Sequence, residues 1–97
     1  MEVKDFQNKI IEFISDWDKK RGVKQNKQSA FIHLIEEIGE LAREYVNIES
    51  RKNRYSKKEL ENAIADVFMW VVKLANIHGI DIEKVVLKII EEEQKLL

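Results

Sequence analysis

The chain contains no cysteine and no proline, and only three glycines among 97 residues. Without cysteine, a disulfide framework, a thiol nucleophile and thiolate metal ligands are all excluded, and this usage fits a reducing compartment, so a cytoplasmic location is expected. Without proline, nothing interrupts a long helix from within. An excess of one charge is also missing. The 17 Lys and Arg stand against 18 Asp and Glu, for a net charge of -1 and a pI near 6.1. No basic field draws nucleic acid or an anionic membrane surface, and neither is expected as a partner. Long hydrophobic runs are lacking as well. Charges break every apolar stretch short of the ~18 residues a membrane span needs, and the N-terminal MEVKDFQNKI has no apolar signal core, so a soluble protein is expected.

What is present is helical periodicity. Phe6, Ile10, Phe13, Ile14 and Trp17 recur at three- and four-residue spacing and mark a first amphipathic helix that stops near Gly22. After a polar connector, Phe31, Leu34, Ile35, Ile38, Leu41, Ala42 and Tyr45 mark one face of a second helix. Ser56-Lys-Lys-Glu59 has the form of a capping box and opens a third helix, for which Gly79 is a suitable left-handed cap. Asp81 can cap a fourth, with Ile82, Val85, Val86, Ile89, Ile90 and Leu97 on its apolar face. The expectation is an all-α, four-helix bundle-type single domain over residues 1–97, with helices at about 3–20, 29–49, 57–78 and 82–96. A chain of this length buries roughly two-thirds of its unfolded surface and needs no metal or disulfide to fold.

Within the third helix, residues 63–72 read AIADVFMWVV, nine apolar residues and one acid, Asp66. A helix apolar all round must be covered on all sides, which three small neighbours hardly achieve, so a homodimer or homotetramer is expected. The acid needs an explanation too, because a carboxylate removed from water is costly unless it is paired. Helix two carries Glu36, Glu37, Glu40 and Glu44 in HLIEEIGELARE. Glu37, Glu40 and Glu44 share a strip beside the Ile38 face, while Glu36 points further off. Gly39 stands in mid-helix between Glu37 and Glu40, which suggests that something approaches the backbone there. If helices two and three form an antiparallel hairpin through residues 50–56, Glu40 and Asp66 lie level across it. A hard divalent cation, Mg²⁺ with Mn²⁺ able to substitute, would join Asp66 to Glu37 and Glu40. Alternatively Lys73, two turns after Asp66, satisfies the acid and makes it structural.

The segments HLIEEIGELAREYV and ADVFMWVVKLANIHGIDIEKVV resemble the MazG-like all-α nucleotide pyrophosphohydrolases, over about residues 29–90. That resemblance implies an EExxE element on one helix and an ExxD element on the next, holding magnesium, and hydrolysis of a nucleoside triphosphate between its α and β phosphates to monophosphate and pyrophosphate. It makes Glu37, Glu40 and Asp66 metal ligands, with Glu36 or Glu37 taking the proton from water. One position departs from the pattern: Ala63 stands where the first acid of ExxD is expected. Asn62 or Glu59, on nearly the same face, could substitute. A catalytically silent interaction module is the alternative reading. Trp17 and Trp70 could stack on a base, Trp70 being better placed, with Lys73 a further candidate for substrate binding, although core packing is the simpler account of both tryptophans. His33 reads as a packing or surface residue, and Arg51, Lys52, Arg54, Lys57 and Lys58 as a solvated turn.

Overall fold

All 97 residues are described by a computed structural model. Four helices follow in order: α1 at Val3–Arg21, α2 at Lys27–Ser50, α3 at Lys57–Ile77 and α4 at Ile82–Gln94, with a single 3₁₀ turn, Lys52–Arg54, between α2 and α3. The expected bounds hold to within two residues at every end, and the local chemistry accounts for the differences. α2 begins two residues early because Asn26 caps it. The Asn26 side chain accepts from the Ser29 N–H at 2.8 Å, and the Ser29 hydroxyl accepts from the Asn26 N–H at 2.8 Å, a reciprocal pairing that satisfies two otherwise orphaned donors. Ser56 and Asp81 cap α3 and α4 through the N–H groups of Glu59 and Lys84. α1 and α3 both end on a glycine in the left-handed region, Gly22 with φ 69° and Gly79 with φ 70°. At each end the following N–H reaches five residues back, Val23 to the Asp18 carbonyl and Ile80 to the Ala75 carbonyl, both at 2.8 Å. A Cβ would strain that conformation, so glycine is what stops each helix.

α2 and α3 form the expected hairpin, and α1 packs across α3. The core is a cluster of Ile10 and Ile14 from α1, Ala30 and Leu34 from α2, and Trp70 and Val72 from α3. Burial of each of the larger side chains contributes about 1.5–3 kcal/mol. α1 is rotated from the face its apolar pattern suggests: Gln7, Ile10, Ile14 and Asp18 point inward, while Phe6, Phe13 and Trp17 remain 45–49% exposed. Asp18 is tolerated inside because Arg21 and Gln25 both donate to it. α4 turns by 100° from α3 and buries none of its residues. A hydrogen bond of 2.6 Å from Lys4 to the capping carboxylate Asp81 joins its start to α1.

The chain alone is open. Its radius of gyration is 15.9 Å, against about 12.5 Å for a compact chain of this length. Phe31, Ile35, Ile38 and Tyr45 on α2, and Ile64 and Phe68 on α3, are all 44% exposed or more. No single helix is long and apolar enough to cross a membrane.

Candidate metal centre and cavity

Glu37 and Glu40 are one turn apart on α2, and the antiparallel hairpin brings Asp66 of α3 level with them. One carboxylate oxygen from each of the three lies within 4.8 Å of the others. No lysine or arginine forms an ion pair with any of them. Glu37 is fixed from one side, its Oε1 lying 3.1 Å from Nε2 of His33. Its other oxygen, Oε2, is buried and has no hydrogen-bond partner. Burial raises the pKa of Glu37, and the neighbouring charges of Glu40 and Asp66 raise it further, against a downward pull from the His33 bond. Asp66 is raised by burial and then by Glu40, with His33 opposing. Three oxygen donors that repel one another, one of them buried and unpartnered, are a donor set suited to a hard cation such as Mg²⁺.

Beside this group lies a cavity of about 260 Å³. Glu37 and Asp66 face it together with His33, Met69 and Trp70, and α1 closes one side with Phe13, Trp17 and Arg21. The His33 imidazole stacks on Trp70 with centroids 3.7 Å apart and planes 14° from parallel. Trp70 is therefore covered, 6% exposed, whereas Trp17 is 45% exposed. Lys20 and Arg21 lie over the Trp17 ring, 5.4 and 5.7 Å from its centre. Phe13 and Trp17, 49% and 45% exposed, are the aromatics with free surface at the cavity, and Arg21, which also pairs with Asp18, lines it with a guanidinium. Neither role is legible from spacing, because it depends on how α1 lies across α3; the only sequence signal is that Phe13, Trp17 and Arg21 fall four residues apart on one helical line.

The other candidate residues are placed as follows. Glu36 is exposed and outside the cluster, as are Glu59 and Asn62. Ala63 is buried, 8% exposed. Glu44 is half-buried with one oxygen lacking a partner; with Glu40 level with Asp66, helix register sets it opposite Asn62. Lys73 does not reach Asp66: its ammonium donates to the Ser15 hydroxyl at 3.1 Å, on a different cavity. The close approach expected at Gly39 is not made within the chain, where a Cβ would meet nothing within 4 Å. That glycine lies beside the outward Ile35–Ile38 surface, which α1 and α3 do not cover. Arg51, Lys52, Arg54, Lys57 and Lys58 are exposed, with half-buried Tyr55 and Ser56 between them.

No curated protein matches the chain. Residues 25–95, which hold α2, α3 and α4 with the whole acidic cluster, match the family model of the MazG nucleotide pyrophosphohydrolase domain. By that match over well over half its length, the chain belongs to the MazG nucleotide pyrophosphohydrolase family.

Proposed function

We propose that this protein is a Mg²⁺-dependent hydrolase that cleaves a nucleoside triphosphate between its α and β phosphates, giving a monophosphate and pyrophosphate. The observation that carries the reading is the meeting of Glu37, Glu40 and Asp66 within 4.8 Å with no cationic side chain among them. Glu37, Glu40 and Asp66 would hold Mg²⁺, or Mn²⁺ in its place. When bound, the ion neutralises triphosphate oxygens and acidifies the attacking water. Of the two glutamates considered for proton transfer, Glu37 is the one that faces the cavity, where a bound water would stand. Glu36 faces solvent and has at most a supporting part. His33 orients Glu37, and its own ring is held by the stack on Trp70. Trp17 and Phe13 offer exposed ring surface to a base, and Arg21, which shares its charge with Asp18, offers a guanidinium to the phosphates, so α1 is part of one functional domain spanning 1–97. Trp70 shapes the pocket behind His33.

The second reading, a silent module of the same fold, is favoured by Ala63, which leaves four of the five acids of the EExxE and ExxD pattern. The two are separated by pyrophosphate release from a panel of ribo- and deoxyribonucleoside triphosphates with and without Mg²⁺ or Mn²⁺. Metal-dependent release, reduced about 100-fold or more by Glu40→Gln or Asp66→Asn, is expected. Tight metal-dependent binding of a nonhydrolysable triphosphate with no release from any nucleotide would establish the silent module instead.

A further inference from the structure

We propose that Lys73 forms the floor of a second site, separate from the acidic centre, that binds a phosphate-type oxyanion. Lys73 is 8% exposed, yet its ammonium makes no ion pair and a single hydrogen bond, to the Ser15 hydroxyl. An ammonium has three donors, and a buried charge left without a counter-ion is costly. The group faces a cavity of about 350 Å³, open to solvent, that Lys19, Lys24 and Gln25 also line. The one acid there, Asp18, already accepts from Arg21 at 3.2 Å and from Gln25 at 3.3 Å. Three lysines against one engaged carboxylate leave a surplus of positive charge, with the Ser15 hydroxyl beside it to share in binding. Such convergence suits the several acceptor oxygens of a phosphate.

The site is distinct from the proposed metal centre in place and in sign. Lys73 is two turns along α3 from Asp66, about 10 Å, and Ile14 faces the first cavity whereas Ser15 faces the second. Its occupancy does not depend on the proposed reaction. Either free orthophosphate or pyrophosphate, the product of that reaction, carries the required chemistry.

The test uses the full chain in EDTA, so that no divalent ion bridges phosphate to the acidic cluster. Sodium orthophosphate and sodium pyrophosphate are titrated separately at constant ionic strength, with calorimetry and amide NMR shifts at Ser15, Lys24, Gln25 and Lys73 as readouts. Saturable binding is expected for at least one, weakened about tenfold or more in Lys73→Met. A Lys19→Gln/Lys24→Gln double variant, which alters only exposed side chains, is expected to bind about threefold more weakly and decides the question should Lys73→Met not fold. The anion that binds more tightly identifies the source. The absence of saturable binding of either, or equal binding by wild type and the folded variants, overturns the proposal and assigns Lys73 to water-mediated balance with Asp18.

Discussion

Asp66 is set where its own chain offers it two other acids, Glu37 and Glu40, with His33 bonded to Glu37. The raised pKa values of Glu37 and Asp66 have a consequence for stability. A carboxyl whose folded pKa lies above its unfolded value stabilises the fold fully below the unfolded pKa, near 4, and loses that contribution as pH rises through the folded value. Without metal, this contribution is therefore lost as pH rises from the unfolded value through the raised folded one. Glu37→Gln and Asp66→Asn are each expected to be more stable than wild type at pH 7.5 in EDTA, by a small margin because both groups keep some contact with solvent. The advantage should shrink towards pH 4, and the Mg²⁺-induced rise in Tm should disappear. Thermal unfolding across pH with EDTA or Mg²⁺ checks this; variants less stable than wild type at pH 7.5 in EDTA would make the acids structural. The meeting of Glu37, Glu40 and Asp66 was legible in the sequence, because two helices joined by a short turn leave little freedom in register. The openness of Trp17 and the covering of Trp70 were not, because ring exposure depends on which neighbour lies across it.

Among the elements, α2 has two unequal faces. One meets α3 and holds the acids; the other presents Phe31, Ile35, Ile38 and Tyr45 to solvent, with Gly39 alongside. A methyl group at Gly39 has room within the chain, so Gly39→Ala is expected to raise unfolding stability by about 1 kcal/mol through helix propensity. A lower Tm that falls further on dilution would show instead that another subunit approaches there. On α3, Ala63 is buried one turn before Asp66. Ala63→Glu adds a fourth acid to a crowded group, so the metal-free variant is expected to lose about 1–3 kcal/mol while its Mg²⁺-induced Tm shift exceeds that of wild type. Differential scanning fluorimetry against Mg²⁺ concentration measures both, and a shift no larger than wild type's would show that the centre cannot use the added carboxylate. The helix ends were readable because caps are local: Ser56, Asp81, Gly22 and Gly79 act within a few residues. The rotation of α1 was not, since Phe6, Phe13 and Trp17 satisfy an amphipathic pattern equally well whether a neighbour covers them or not.

At the scale of the molecule, the surface is too large for one compact chain. A folded monomer of 11.5 kDa exposes about 5,800 Å², and this chain exposes 7703 Å². The excess of about 1,900 Å² per chain is the amount a two-fold interface of the obligate class removes from each partner. An assembly of at least two copies, about 23 kDa or more from an 11.5 kDa chain, is therefore expected by light scattering at tens of micromolar. Ile35→Glu/Ile38→Glu, on the uncovered face of α2, should shift it to a monomer with a lower Tm. A wild-type chain that is monomeric and stable at that concentration would oppose both expectations.

The sequence by itself determined the four helices, the caps at Gly22, Ser56, Gly79 and Asp81, the α2–α3 register and so the acidic centre, since each follows from spacing along one chain and from turns too short to allow alternatives. Only the tertiary structure decided which aromatics stay open, that Arg21 reaches the cavity, that Lys73 turns away from Asp66 to Ser15, and how much apolar surface one chain leaves uncovered. These depend on the rotation and crossing of helices distant in sequence. A periodic pattern states which residues share a face, and the packing of the other elements settles what that face meets.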